Sequence, residues 1–312
     1  MKTSTSSIFM MMLAGLAVMT FAREHDARDA AIHARHHHRD FKVAGDAQAT
    51  HGHRGLEKRH RSRKGHPSKA SHAGVAVASA PTAAVADTLV DGVIHVKSNC
   101  GNIGATKEVT ATSGPNGNID WLNCGVNNGG WNPPFVTVHD IVAKDLASAV
   151  KTSNTPFSAC SAFTAMFEKY GNEHSIPPIM LAAFAMQESS CNANTVGGAG
   201  EQGLMQLTQD KCGGAPGGNC RDPEFNIRKG AEYFKGVLDG NGGDLLLSIG
   251  AYNGWQRGMT YGEATAARYS GNCHWQNNLD YLHQFLNGWV QNIDAYSHVP
   301  RLGKYFNLDG CN

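Results

Sequence analysis

The sequence predicts a mainly α domain of α+β type, stapled by disulfides and preceded by a small disulfide-stapled β/loop extension. Three observations lead there. Apolar residues recur at three- and four-residue spacing through the C-terminal half. All eight cysteines lie between Cys100 and Cys311, and a Gly/Asn-rich stretch with short β-branched runs precedes the helical pattern. At 312 residues, 41% hydrophobic and 17% charged, the chain reads as a globular protein and excludes a multi-span membrane protein.

In chain order, residues 1–22 read as a secretory signal peptide. The apolar run from Ile8 to Phe21 follows Lys2, ends at the small residue Ala22 and is too short to span a bilayer. Residues 23–72 hold ten of the sixteen histidines and carry a formal +6, with almost no large apolar side chains, so they are expected to be disordered. Lys58-Arg59 and the nearby Arg61, Arg63 and Lys64 suit a subtilisin-like processing protease of the eukaryotic secretory route, which makes this segment a propeptide. Metal capture by its histidines is the rival reading. Residues 73–91 form a small-residue linker.

Residues 92–138 form the β/loop lead-in. Val93-Ile94-His95-Val96 and Glu108-Val109-Thr110-Ala111-Thr112 are strand-like, and Pro115-Asn116-Gly117 is a turn signal. Trp121 and Trp131 in this stretch either pack the lobe or offer rings to a sugar. From residue 139 to 312 the pattern is helical, over His139–Val150, Phe157–Tyr170, Ile179–Met186 after Pro177-Pro178, a stripe Ile227, Ala231, Phe234 and Leu238, then Leu245–Ala251 and Leu279–Val290. Asp222-Pro223 reads as an N-cap followed by proline at the first helical position.

The even number of cysteines, together with an exported chain, predicts four disulfides. Cys100 with Cys124 and Cys212 with Cys220 are the two pairs expected from their Gly- and Asn-rich loops. A zinc site is not expected, because no C-x2-C pair occurs. Residues 73–312 carry a formal −6, so nucleic acid is not an expected partner.

Glu188 ends the apolar run Ala185-Met186-Gln187-Glu188-Ser189-Ser190, where the chain opens into polar loops. Desolvation favours the protonated form of a carboxyl group, the form a general acid needs. Four segments then follow in order: Gly203-Leu204-Met205-Gln206, Asn226-Ile227 through Gly230-Ala231-Glu232-Tyr233, Ala251-Tyr252-Asn253-Gly254, and Asn278-Leu279-Asp280-Tyr281-Leu282. From Ser175 to Trp289 this ordered set resembles the soluble lytic transglycosylase family, related to goose-type lysozymes.

The resemblance implies a lysozyme-like fold with a sugar polymer in a cleft, and chemistry that needs no cofactor; the signal peptide implies secretion, the processing site a eukaryotic, fungal-like source, and a monomer is expected. It implies that Glu188 is the catalytic acid that protonates the bond between N-acetylmuramic acid and N-acetylglucosamine in peptidoglycan. Ser189, Gly203, Leu204, Met205 and Gln206 would line the cleft, with Tyr252, Asn253 and Tyr281 close to the reacting ring. The family manages with one carboxylate and forms a 1,6-anhydro product. Glu201, Asp210, Asp222 or Glu224 facing Glu188 across a water would instead make a hydrolase. The sequence departs from the family in two places. Gly200-Glu201-Gln202 is longer than usual, and Thr208-Gln209-Asp210 replaces an expected proline. The acidic charge adds chitin as a second possible substrate, and a non-catalytic carbohydrate- or metal-binding protein is the alternative of another class.

Overall fold

The computed structural model describes residues 89, 90, 92–198 and 200–311. The signal, histidine-rich and most of the linker segments lie outside the described residues, as does Ala199. The mainly α class holds. Among the described residues the strand content is one antiparallel pair, β1 (Leu89–Val90) with β2 (Val93–Ile94), and two isolated bridges through Gln202.

The helical body is built from four elements. Helix α1 (Thr164–Glu173) packs on α2 (Pro178–Ser189) and α3 (Pro223–Gly240), and α3 in turn packs on α4 (Leu245–Tyr252). Proline at the start of α2 and α3 needs no donor there, and the Asp222 carboxylate accepts from the Phe225 amide to cap α3. Helix α2 is buried on nearly every face. Its Phe184 ring lies 4.8 Å from Phe234 on α3, 4.2 Å from Tyr252 on α4 and 4.6 Å from Phe285. Such a helix cannot face water, so the other described elements cover it.

Four expected elements come out differently. His139–Val150 is not one helix: the Asp140 carboxylate accepts from both the amide and hydroxyl of Thr137, and helix resumes only at Leu146–Ala149, capped by Asp145. The stretch from Phe157 begins as a 3-10 helix, Pro156–Phe163, and becomes α only at Thr164. Glu108–Thr112 is loop, because Thr110 and Ser113 exchange side-chain and backbone hydrogen bonds that compete with strand pairing. The C-terminal helix starts at Tyr281 and widens into a π-helical turn over Gln284–Gly288.

The lead-in shares the body's hydrophobic cluster. Trp121 and Trp131 are 1% and 0% exposed, which settles them as packing residues. Four disulfides close the structure. Two are the expected pairs, Cys100–Cys124 and Cys212–Cys220; the other two are Cys160–Cys191 and Cys273–Cys311.

Candidate active site

Glu188 occupies the last turn of α2 and is 1% exposed. Three devices fix that helix end. Ser190 and Cys191 adopt left-handed backbone conformations that terminate the helix, and Cys191 is tied to Cys160. The third is Ser189, whose hydroxyl lies 3.0 Å from the Ala185 carbonyl and 2.9 Å from the Leu204 carbonyl, within hydrogen-bond reach of both. Ser189 thus fastens the Glu188 turn to the Gly203–Gln206 segment.

That segment is seated on α3. The Asn226 side chain accepts from the Met205 amide at 2.7 Å and donates to the carbonyls of Gln202 and Cys220, each at 2.8 Å. One turn along, Gly230 leaves the space that Met205 fills, since a Cβ there would stand 2.7 Å from its Cγ. Gly203 has φ +78°, and a Cβ would lie 2.4 Å from the Asn226 amide nitrogen, so only glycine fits. Asn226 and Gly230 are the residues whose role the sequence did not declare. The signal was the Asn-Ile-x-x-Gly spacing itself, which puts both on one helix face. Leu204, Met205 and Gln206 are buried, and the Gln206 amide donates back to the Gly203 carbonyl at 2.8 Å.

Tyr252, at the end of α4, is 4% exposed and donates to the Met205 carbonyl at 3.3 Å. Burial, then the Glu188 charge and Tyr233, push its phenol well above the ordinary tyrosine range. Tyr281 is fully buried and is pushed the same way by burial, by Glu188 and by Tyr252. Glu188 therefore shares its surroundings with two phenols that stay protonated across the physiological range and can act as donors. Tyr233, 6.0 Å from Tyr252 ring to ring, extends this group. Asn253 caps α4, and its side-chain oxygen accepts from the Asn278 amide at 3.3 Å.

The other carboxylates differ sharply. Asp210 and Glu224 are exposed and paired with Lys211 and Lys169, and Asp222 is spent on its helix cap. Of the four acidic residues singled out around the cleft only Glu201 is buried, at 1% exposure, in the loop where a Cβ on Gly197 would meet both its Oε2 and the Gln206 Oε1.

A cavity of about 320 Å³ opens beyond Asn253. It is lined by Gly254, Gln256, Arg257, Gly258, Glu263 and Asn277 among others, and by none of the predicted catalytic or cleft-lining residues. Its tie to the site is Asn277, whose amide donates to the Asn253 carbonyl at 2.9 Å.

Comparison with known proteins places these residues in context. Residues 165–268 match the family described as the transglycosylase SLT domain, a span that includes Glu188, Tyr252 and Asn253 and stops short of Tyr281. The chain is 29% identical over 164 residues to the membrane-bound lytic murein transglycosylase F of Serratia proteamaculans, covering 47% of this chain and 33% of that protein. It is 29% identical over 147 residues to a bifunctional muramidase/DL-endopeptidase of Bacillus subtilis, covering 46% and 40%. The soluble lytic murein transglycosylase of Escherichia coli is 32% identical over 102 residues, covering 30% and 16%. The chain thus spans two-fifths or less of the length of these relatives. Among solved structures, the 70 kDa soluble lytic transglycosylase of Escherichia coli is similar over 43% of this chain and 24% of that one, at 25% identity and a TM-score of 0.29.

Proposed function

Residues 165–268 carry a transglycosylase SLT domain, and from that premise we propose that the protein cleaves the β-1,4 bond between N-acetylmuramic acid and N-acetylglucosamine in peptidoglycan, with Glu188 as its single acid and base. The observation that carries this reading is a buried carboxylate at the end of an apolar helix, electrostatically coupled to the phenols of Tyr252 and Tyr281.

In the proposed reaction Glu188 gives its proton to the glycosidic oxygen as the bond from that oxygen to the muramoyl anomeric carbon breaks. The muramoyl 6-hydroxyl oxygen then bonds to the same carbon, and its proton passes to the Glu188 carboxylate. The product is a 1,6-anhydro sugar, and the acid is regenerated. Tyr252 and Tyr281 orient the carboxyl group and the ring. Ser189 and the Gly203–Gln206 segment form the wall of the cleft, largely through backbone groups because Leu204 and Met205 face inward. Asn253 hydrogen-bonds the substrate.

Export fits this role. Four disulfides require an oxidising compartment, and among the described residues no helix is long and apolar enough to cross a membrane. We place the enzyme outside the cell, as a monomer released after removal of residues 1–22.

The test is mass spectrometry of soluble products from purified peptidoglycan, with wild type and Glu188→Gln. Anhydromuropeptides from the wild type, reduced about 100- to 10,000-fold in the variant, are the expected outcome. Equal release by the variant would overturn the role of Glu188. One observation favours a second reading, hydrolysis to reducing ends: Glu201 is a second buried carboxylate. That reading predicts products heavier by one water, and their loss in Glu201→Gln. Turnover of N-acetylglucosamine oligomers lacking muramic acid would move the substrate to chitin.

A further inference from the structure

The cavity beyond Asn253 has a lining unlike a sugar cleft. No aromatic ring contributes to it, so a pyranose has no face to stack on. Its charged side chains are one cation, Arg257, and one anion, Glu263. Gln256 and Asn277 add amides, and Gly254 and Gly258, at φ +75° and +88°, turn bare backbone toward the space. Opposite charges flanked by amides and backbone suit an amino acid, which carries an ammonium, a carboxylate and peptide groups of its own. We propose that this cavity is a second binding site, which takes the zwitterionic amino-acid end of a peptide substituent borne by the glycan. The assignment of that ligand to the substrate rests on the peptidoglycan reading above; chitin carries neither group.

Both charges are held in place. The Glu263 carboxylate accepts from the Thr260 amide at 2.8 Å and hydroxyl at 2.9 Å, a reciprocal cap of the short helix Tyr261–Ala264 that keeps it ionised. Arg257 donates to the Asn132 side-chain oxygen and stands 3.8 Å from the Asp244 carboxylate. Asp244 is 4% exposed at its side chain whereas Arg257 is 55% exposed, so a ligand meets the guanidinium first. A guanidinium has five N–H donors, which leaves several for a carboxylate.

The lead-in builds this site. The Trp131 amide donates to the Met259 carbonyl at 2.8 Å, and the Gly258 amide donates to the Trp131 carbonyl at 2.7 Å. Gly130 allows the approach, since a Cβ there would stand 2.2 Å from the Gly258 carbonyl oxygen. Residues 130–132 lie outside the span that matches the SLT domain. An extension with no chemistry of its own thus clamps the loop 254–259 and fixes the Arg257 fork, which assigns it a role in recognising the substrate.

Calorimetry with a free tetrapeptide ending in a diamino acid, its ammonium and carboxylate intact, tests the site without any cleavage. The expected result is binding to the wild type, weakened about tenfold or more in Arg257→Ala and in Glu263→Gln, and weakened by acetylation of the peptide's side-chain ammonium. Absence of binding to the wild type, or wild-type affinity in both variants, overturns the proposal. In parallel, kcat/KM is measured on glycan strands with and without their peptides. Arg257→Ala should lose the preference for peptide-bearing strands and keep the rate on bare ones; an unchanged preference overturns the role in substrate recognition. Binding of the peptide without cleavage of either strand overturns the peptidoglycan activity but not the site. Cleavage without peptide binding does the reverse.

Discussion

The helices that present Glu188 are held together by rings and aliphatic chains, whereas the lead-in is held to the C-terminal helix by amides. Around Phe184 the contacts are apolar on every side. Around Asn116 they are directional: its backbone amide donates to the Asn287 side chain at 2.8 Å, and its side chain donates to the carbonyls of Val142 and Leu286 and accepts from the Val142 amide. Asn287 in turn donates to the Gly117 carbonyl at 2.9 Å, and Asn123 donates to the Leu279 carbonyl at 2.7 Å. Apolar packing tolerates changes of shape that conserve volume, while a buried amide network fails when one donor becomes an acceptor. The two halves of the molecule should therefore answer differently to substitutions of equal size.

The largest effect is expected at Asn116. Asn116→Asp leaves the volume nearly unchanged, but it aims a carboxylate at the Val142 and Leu286 carbonyls in a fully buried position. The cost should be about 3–5 kcal/mol, the scale for an uncompensated buried charge, read as a fall in the urea midpoint. A loss below about 1 kcal/mol would mean that the network is not what fastens the lead-in.

A second break in the same network is set by pH. The Asn287 amide is pinned, since its oxygen accepts from Asn116 and its nitrogen donates to Gly117; that nitrogen then faces His283 Nδ1 at 3.0 Å. His283 Nδ1 must accept, so the imidazole is neutral, and burial pushes its pKa down to about 4. An unfolded histidine takes up its proton near pH 6.5. The stabilisation is therefore complete above about pH 6.5 and is lost as pH falls toward about 4, amounting to about 3 kcal/mol. Urea unfolding of wild type and His283→Gln at about pH 7 and pH 4.5 checks this. The wild type should lose more stability on acidification than the variant, and equal losses would remove His283 from the account.

The same contrast explains what the sequence made legible. Helices α2, α3 and α4 carry repeating apolar positions, proline starts and an Asp cap, all local signals, and they lie close to where the spacing puts them. Glu188, Tyr252 and Asn253 could be placed at the ends of such helices for that reason, while the roles proposed for them rest on the resemblance. The lead-in was not, because its order comes from Asn116, Asn123 and Trp131 reaching residues 127 to 171 positions away. A single amide has no period, and its partner cannot be read from its neighbours. The cavity at Arg257 was hidden for the same reason: its charged residues are brought together by Trp131 and Asn132 from a distant part of the chain. Two of the four disulfides were legible through short glycine-rich loops, while Cys160–Cys191, which braces the Glu188 turn, joins two helical segments 31 residues apart.

The smallest expected effect lies in the apolar half and sharpens the comparison by its smallness. Met180 is fully buried in the first turn of α2. Met180→Leu keeps volume and polarity while adding a branch, so neighbouring side chains can repack around it. The cost should stay below about 1.5 kcal/mol, with the rate of the proposed cleavage unchanged because Glu188 is two helical turns further on. Set beside Asn116→Asp, which also nearly conserves volume, this gives at least about a twofold difference in destabilisation by the same urea measurement. Equal destabilisation at the two sites would show that α2 needs one fixed packing as strictly as the lead-in needs its hydrogen bonds. The Glu188 turn would then depend on side-chain fit along the whole helix, and not chiefly on the Cys160–Cys191 bridge and the Ser189 hydroxyl that hold its end.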